Sequence, residues 1–578
     1  MFRQPSPANT RRATPQTGNI IPMQIPYHGL NARAPFSVMD PQYAIAALNV
    51  TAEAYGFRTR GGYTEWARNL PGAGSVCTLM SYYPPQATPV VYTAPFRREF
   101  TSAALRVMQP RISAFRPKQP GVLSTTIPGN LFACKNNQVF DVTAGGFGPW
   151  TAISGVTGTS DYWTSLNFNN AAGAWLVAVN DGGGYYTYNG TTWLKVVAGT
   201  GTNQVSGVDP STFVHVCLWK HRLWFVQQGT TNAWYLPTDA LYGTASAFDF
   251  GEQFKHGGQL QQLATWTIDG GSGVQTYLVA VSSEGDVCVY QGLDPTDPST
   301  FQITGTWYVG PLPAGRRSVN ADGGECYILT QLGAYPLSKL MSSSSLAALS
   351  TQRVSWAVDP IIASLMQSFS GLIGWQIRTL PQVELVVIGI PPAATQDGGD
   401  YLAYKVPTDS WSQLTGAGYT CFATMDSEIW AGTKDGRVVQ AWNGVLDNVL
   451  IGATAGNPIA CQVTPAYQPM GTDGYMKRLT LVRPAFLASQ TPTLKMQILT
   501  DFGAPKPTLT PSIPNTVQAI WAVSLWGSAL WTGLQNPVRQ WLGASGKGFN
   551  ATVQLDYLCG GNTILMAIDF WAEQGGVK

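Results

Sequence analysis

The sequence predicts an all-β protein: an irregular β-propeller of about six or seven blades joined to a β-sandwich-like platform, with very few helices. Three observations carry this reading. Only 11% of the 578 residues are charged, against about 25% in an ordinary soluble domain, while Gly (62), Pro (39) and the aromatics (Trp 20, Tyr 24, Phe 22) are abundant. Such a composition suits short strands and tight turns. Hydrophobic residues make up 44%, enough for a large core, which excludes a disordered chain; the long runs of Ala, Glu, Lys and Leu that a coiled coil needs are missing. Third, an apolar strand followed by a turn, a second strand and an aromatic recurs through the middle of the chain.

Residues 1–24, rich in Pro, Thr, Asn and Arg, read as an extended arm. Residues 25–125 are expected to form the N-terminal part of the platform, with one helix at about 41–54 because Asp40-Pro41 precedes Ala44, Ile45, Ala47 and Leu48 at helical spacing. Asp359-Pro360, followed by Ile361, Ile362, Leu365 and Met366, is a second signal of that kind.

The propeller is placed at 126–450. Its opening strands are read at 131–134, 175–179, 213–219, 277–281, 326–329, 384–388 and 421–424, with starts 37 to 64 residues apart. Four-stranded blades repeat about every 40–50 residues, longer where a loop is inserted. Asp-Gly or Asn-Gly turns punctuate the region, and Trp150, Trp193, Trp307 and Trp411 close successive segments. Two stacked sandwiches are the alternative architecture. Residues 451–578 change rhythm: strands are expected at 459–463, 478–482, 494–499, 551–555 and 563–571, forming a C-terminal sandwich that packs with 25–125. Trp521, Trp526 and Trp531 lie in a segment without charge, read as a buried strand or subunit contact.

Chemistry is sparse. The motifs of zincins, serine hydrolases and P-loops are absent, and none of the eight cysteines forms a CxxC pair. Most cysteines sit in apolar strand-like runs and are expected to be buried thiols made in a reducing cytosol. The N-terminus does not read as a signal peptide, and no segment reads as membrane-spanning. His28, His215, His221 and His256 are more simply structural than catalytic. Glu252, Asp286 and Asp322 are scattered carboxylates without a visible pairing. The turns at Asp181 and Asp435 lack the full Asp-box pattern and read as hairpins. No catalytic residue, cofactor or metal ligand is assigned, and the chain is not read as an enzyme.

Charge is uneven. Residues 1–120 carry thirteen Lys/Arg and four Asp/Glu, a net +9, and the remainder carries −7. That asymmetry suggests a directional partner arrangement.

Two sets of residues carry a resemblance. One is His28-Gly29-Leu30-Asn31-Ala32-Arg33, Met39-Asp40-Pro41-Gln42-Tyr43-Ala44, Leu48-Asn49 and Tyr55-Gly56-Phe57-Arg58-Thr59-Arg60-Gly61-Gly62-Tyr63. The other is Met476-Lys477-Arg478-Leu479, Val482-Arg483-Pro484-Ala485-Phe486 and 569–576. Together they resemble the two ends of tail nozzle (tail tubular B-like) proteins of short-tailed bacteriophages. The sequence departs from that pattern at Ala32, Ala34 and Asp40, where the family has Thr, Asp and Pro.

The resemblance implies a hexameric ring below the portal and adaptor of a phage tail. Such a ring closes the channel through which double-stranded DNA passes, and it carries tail fibres or spikes; the chain would be a virion protein made in the host cytoplasm. Arg33, Arg58, Arg60 and Arg483 are the candidate assembly contacts. A carbohydrate-binding or carbohydrate-active tail propeller that recognises a host receptor is the alternative function, and a cytosolic scaffold propeller a third.

Overall fold

The computed structural model describes residues 18–84, 129–269, 274–297, 299–322, 324–342, 352–394, 400–471, 473–503 and 536–575. The Trp521, Trp526 and Trp531 series and residues 1–17 of the expected arm lie outside these.

Seven strands ring one axis: Thr78–Tyr82, Trp163–Asn170, Phe213–Trp219, Leu260–Asp269, Val319–Asp322, Gln376–Leu380 and Tyr419–Met425, each the first strand of an antiparallel sheet. Five of those sheets stand alone with four or more strands; the fifth in chain order has three, and the sixth runs on into the platform. This is an irregular seven-bladed propeller. Trp193, Trp307 and Trp411 lie in the outermost four-residue-or-longer strands of the second, fourth and sixth blades, and Trp150 immediately precedes that of the first. The Asp181 and Asp435 segments are hairpin turns.

The last blade is completed from the front of the chain. Strand Tyr63–Ala67 pairs antiparallel with Val438–Ala441 and closes the ring. Residues 63–82, expected in the platform, therefore belong to the propeller: a ring has no free edge only if its two ends are zipped together.

The platform is a sandwich of two sheets. One holds Val50–Glu53, Gly56–Thr59, Thr563–Gln574 and Lys477–Ala488, with Asn19–Met23 paired to Thr563–Gln574. The other continues the sixth blade through Ala44–Leu48, Ile459–Pro465, Ala551–Cys559 and Thr493–Thr500. Phe57, Val482, Phe486 and Phe570 from one sheet and Val463, Leu494, Met496 and Leu555 from the other fill a common core. Residues 19–23 are thus an edge strand, not a loose arm.

The helix expected at 41–54 is instead two strands. Asp40 and Pro41 open a tight turn, with Tyr43 N–H on the Asp40 carbonyl (2.9 Å) and Gln42 N–H on its carboxylate (2.9 Å). The Ala-rich stretch that follows fills a slot between the sixth blade and Ile459–Pro465. Backbone pairing along that slot outweighs a helix preference of a few tenths of a kcal/mol per residue. The helix at Asp359–Phe369 does form, with Asp359 inside the first turn instead of capping it.

Candidate functional site

The platform and propeller meet at Arg60, where the chain passes from Gly56–Thr59 to Tyr63–Ala67, and Asn49 lies beside that crossing. Asn49 sits in the left-handed region (φ 55°), which lets the strand leave one platform sheet and enter the other. Its amide donates to the Ala460 carbonyl (2.8 Å), and its Oδ1 accepts from Thr415 N–H (2.8 Å) and Arg60 Nε (3.0 Å).

Arg60 then grips Asp447 with both Nη atoms (2.7 and 2.6 Å) and donates to the carbonyls of Gly61 and Thr415, both at 3.0 Å. Burial works against the charged form of this guanidinium, but the hydrogen-bonded Asp447 outweighs it and raises the pKa. Beside it Gly62 is obligatory, because a Cβ there would lie 1.9 Å from the Leu446 carbonyl oxygen.

Arg60 is therefore not the assembly contact expected of it. Its side chain is 1% exposed and its donors are taken within the chain, so it braces one part of the protein against the other.

The other three expected contacts are accessible. Arg58 and Arg483 lie on the strands flanking Thr563–Gln574, with Phe57 and Val482 beside them turned into the core. Arg58 reaches Glu53 (3.3 Å) and the Asn562 amide oxygen (3.3 Å). Arg483 makes two contacts with Asp569 (3.0 and 2.8 Å) and covers the Trp541 ring at 4.7 Å. Their side chains are about one-third exposed. Arg33 lies elsewhere, 3.7 Å from Asp359 and 5.2 Å above the ring of Trp356, which is itself exposed. The outer face of this sheet thus offers paired cations among aromatics, an arrangement fit for a protein contact.

The histidines are separate. His28 stacks on Tyr43, His221 lies in a hairpin turn near Asp239, and His215 is buried in the propeller. His256 rests on Asp286 (2.7 Å) and against the Tyr308 ring. No described hydrogen bond or ion pair joins any two of Glu252, Asp286 and Asp322. Among the described residues no three His, Cys, Asp or Glu gather as metal ligands, and no helix is long and apolar enough to cross a membrane. The eight cysteines are unpaired, and all but Cys77 are buried.

Sequence reasoning missed Asp447, the partner of Arg60, and three arginines inside the propeller: Arg316, Arg317 and Arg378. The doublet Arg316-Arg317 in so charge-poor a chain was the available signal.

No protein-family model and no curated protein matches the chain. Among solved structures it is similar to the β-propeller domain of Cps50 (Swd1) from Myceliophteria thermophila, at 10% identity and TM-score 0.34, over 65% of this chain and 98% of that one. It is also similar to YCF48 from Cyanidioschyzon merolae (10%, TM-score 0.25, 54% of this chain and 79% of that one). A third is BBS1N from a complex with ARL6DN (9%, TM-score 0.23, 54% and 74%). The propeller assignment itself rests on the strand order and the ring of first strands.

Proposed function

We propose that this chain is a structural subunit of a short phage tail, the nozzle that conducts and gates DNA and carries fibres or spikes. One observation supports the reading above others. Parts of the two end segments that resemble nozzle proteins, more than 400 residues apart in sequence, share a single platform sheet: Gly56–Thr59 and Lys477–Ala488 both pair with Thr563–Gln574. A platform built from both ends of the chain, with the propeller inserted between them, suits a ring subunit whose neighbours contact the platform. The acidic balance beyond residue 120 fits a conduit, since each neutralised phosphate adds salt-dependent affinity that would retard passing DNA.

Immunogold electron microscopy of intact particles tests this reading. Label confined to the tail is the expected result, and sixfold averaging of those tails then counts subunits. Particles without label refute it. Arg58→Glu is the variant for assembly: it is expected to block docking onto the tail while leaving the fold intact. Arg60→Glu is unsuitable, because it would break the internal brace.

A further inference from the structure

The first strands of all seven blades contribute to one cavity of about 340 Å³ on the propeller axis. Its polar lining includes Ser81, Asn167, Gln262, Asn320 and Gln376, and its charged lining is Arg316, Arg317 and Arg378, with no carboxylate. Just outside, Asp181 meets Arg316 at 2.7 Å. Among the described residues Asp181 is thus the one carboxylate in contact with any of the three guanidiniums, and the exposed Asp322 acts on Arg378 from beyond ion-pair distance.

The three differ in what holds them. Arg316 also donates to the Gln261 carbonyl (2.7 Å). Arg317 is tied to the first two blades through the carbonyls of Cys77 (2.8 Å) and Trp163 (3.3 Å) and the Thr78 hydroxyl, and lies over the Tyr162 ring. Those bonds leave its Nε–H and one Nη1–H unused. Arg378 has no hydrogen-bond or ion-pair partner among the described residues, and its Nε is shielded from solvent without an acceptor. Burial pushes its pKa down, the exposed Asp322 carboxylate offsets this in part from beyond ion-pair distance, and Arg317 adds to it as a like charge. A shielded, unpaired guanidinium is costly and is normally paired. Asp322 acts on Arg378 only from beyond ion-pair distance, so the direct contact is left for something else to supply.

We propose that the propeller's axial cavity binds a small phosphate-bearing anion, a phosphate monoester or inorganic phosphate, clamped by Arg378 and Arg317. Among the described residues neither Arg378 nor Arg317 has a carboxylate in contact, and planar guanidiniums suit bidentate contact with phosphate oxygens. The volume exceeds that of one phosphate, leaving Asn167, Asn320 and Gln376 to meet hydroxyls of an attached organic group. Tyr83, at the cavity wall, is 39% exposed, so the cavity communicates with solvent. This inference is independent of the nozzle reading.

Calorimetric titration of the full chain with inorganic phosphate and with glycerol phosphate, in chloride buffer of matched ionic strength, tests it. Saturable binding is expected, together with a phosphate-specific rise in Tm. Arg378→Gln should weaken it about tenfold or more. If that variant does not fold, Asn320→Asp adds a carboxylate to the same wall while keeping an acceptor for Thr379 N–H (2.8 Å), and should weaken binding similarly. Phosphate indistinguishable from chloride, folded variants that bind as the wild type does, or citrate binding in place of phosphate would each overturn the proposal.

Discussion

Replacing Arg60 with Met should loosen the joint between platform and propeller specifically. The substitution keeps the apolar stem and removes contacts to Asn49, Gly61, Thr415 and both oxygens of Asp447. It also strands a carboxylate whose side chain is only 14% exposed. Removing one partner of such a buried pair costs about 3–5 kcal/mol. Hydrogen exchange is the right assay, because a two-part chain need not unfold in one step. At 3 kcal/mol, amides in Val50–Glu53, Tyr63–Ala67 and Val438–Ala441 that exchange by opening at this joint should speed up about a hundredfold. Asp447→Leu added to Arg60→Met should recover part of that loss, since no charge is then left unpaired. Lys at position 60 should fall between, because an ammonium cannot make the paired contact. A change of less than about threefold in Arg60→Met would refute the brace.

Three other outcomes are expected. His215, pushed down to about 3 by burial first and by Arg316 second, declines a proton that the unfolded chain accepts below its ordinary 6.5; the stability it contributes is present above that value and is lost as pH falls. Wild type should therefore lose about 2 kcal/mol more than His215→Asn between pH 7.5 and 5, and parallel denaturation curves would count against this. Thr64→Pro, in the strand that zips the ring, should break pairing with Gln440 at a cost of about 1–3 kcal/mol and expose Val438–Ala441 to exchange, with unchanged protection as the contrary result. Gly62→Ala should cost about 1–3 kcal/mol by forcing a Cβ against the Leu446 carbonyl, which thermal denaturation would detect.

What could be read from the sequence follows burial. The seven apolar runs taken as opening strands fall one to each blade, yet five of them (131–134, 175–179, 277–281, 326–329 and 384–388) belong to second strands. A second strand is covered on both faces and reads as a continuous apolar run. The true first strands carry polar side chains that stitch neighbouring blades: Gln262 donates to Val319, Thr379 N–H to Asn320, Gln376 to Thr420 and Asn167 to Ser81. Those residues hid the strands, and the same polarity furnishes the axial cavity. The short strand Ala44–Leu48 was misread for a different reason, because its partner strands lie hundreds of residues away and local composition says nothing of them. Arg58 and Arg60 look alike in sequence as alternate residues of one strand end; only the neighbouring loop carrying Asp447 makes one of them internal.

The zipped ring also sets a timetable for synthesis. Tyr63–Ala67 leaves the ribosome about 370 residues before its partner Val438–Ala441, and Asn19–Met23 waits still longer for Thr563–Gln574. At roughly 5–20 residues per second, the first wait lasts on the order of twenty seconds to over a minute. During that interval the early strands have no partner, so the ring closes only after Ala441 has been made and the platform edge only after Thr563–Gln574. A message cut short before Val438 leaves both seams open, whereas a ribosome that stalls between Ala441 and Thr563 leaves the ring able to close and Asn19–Met23 without its partner.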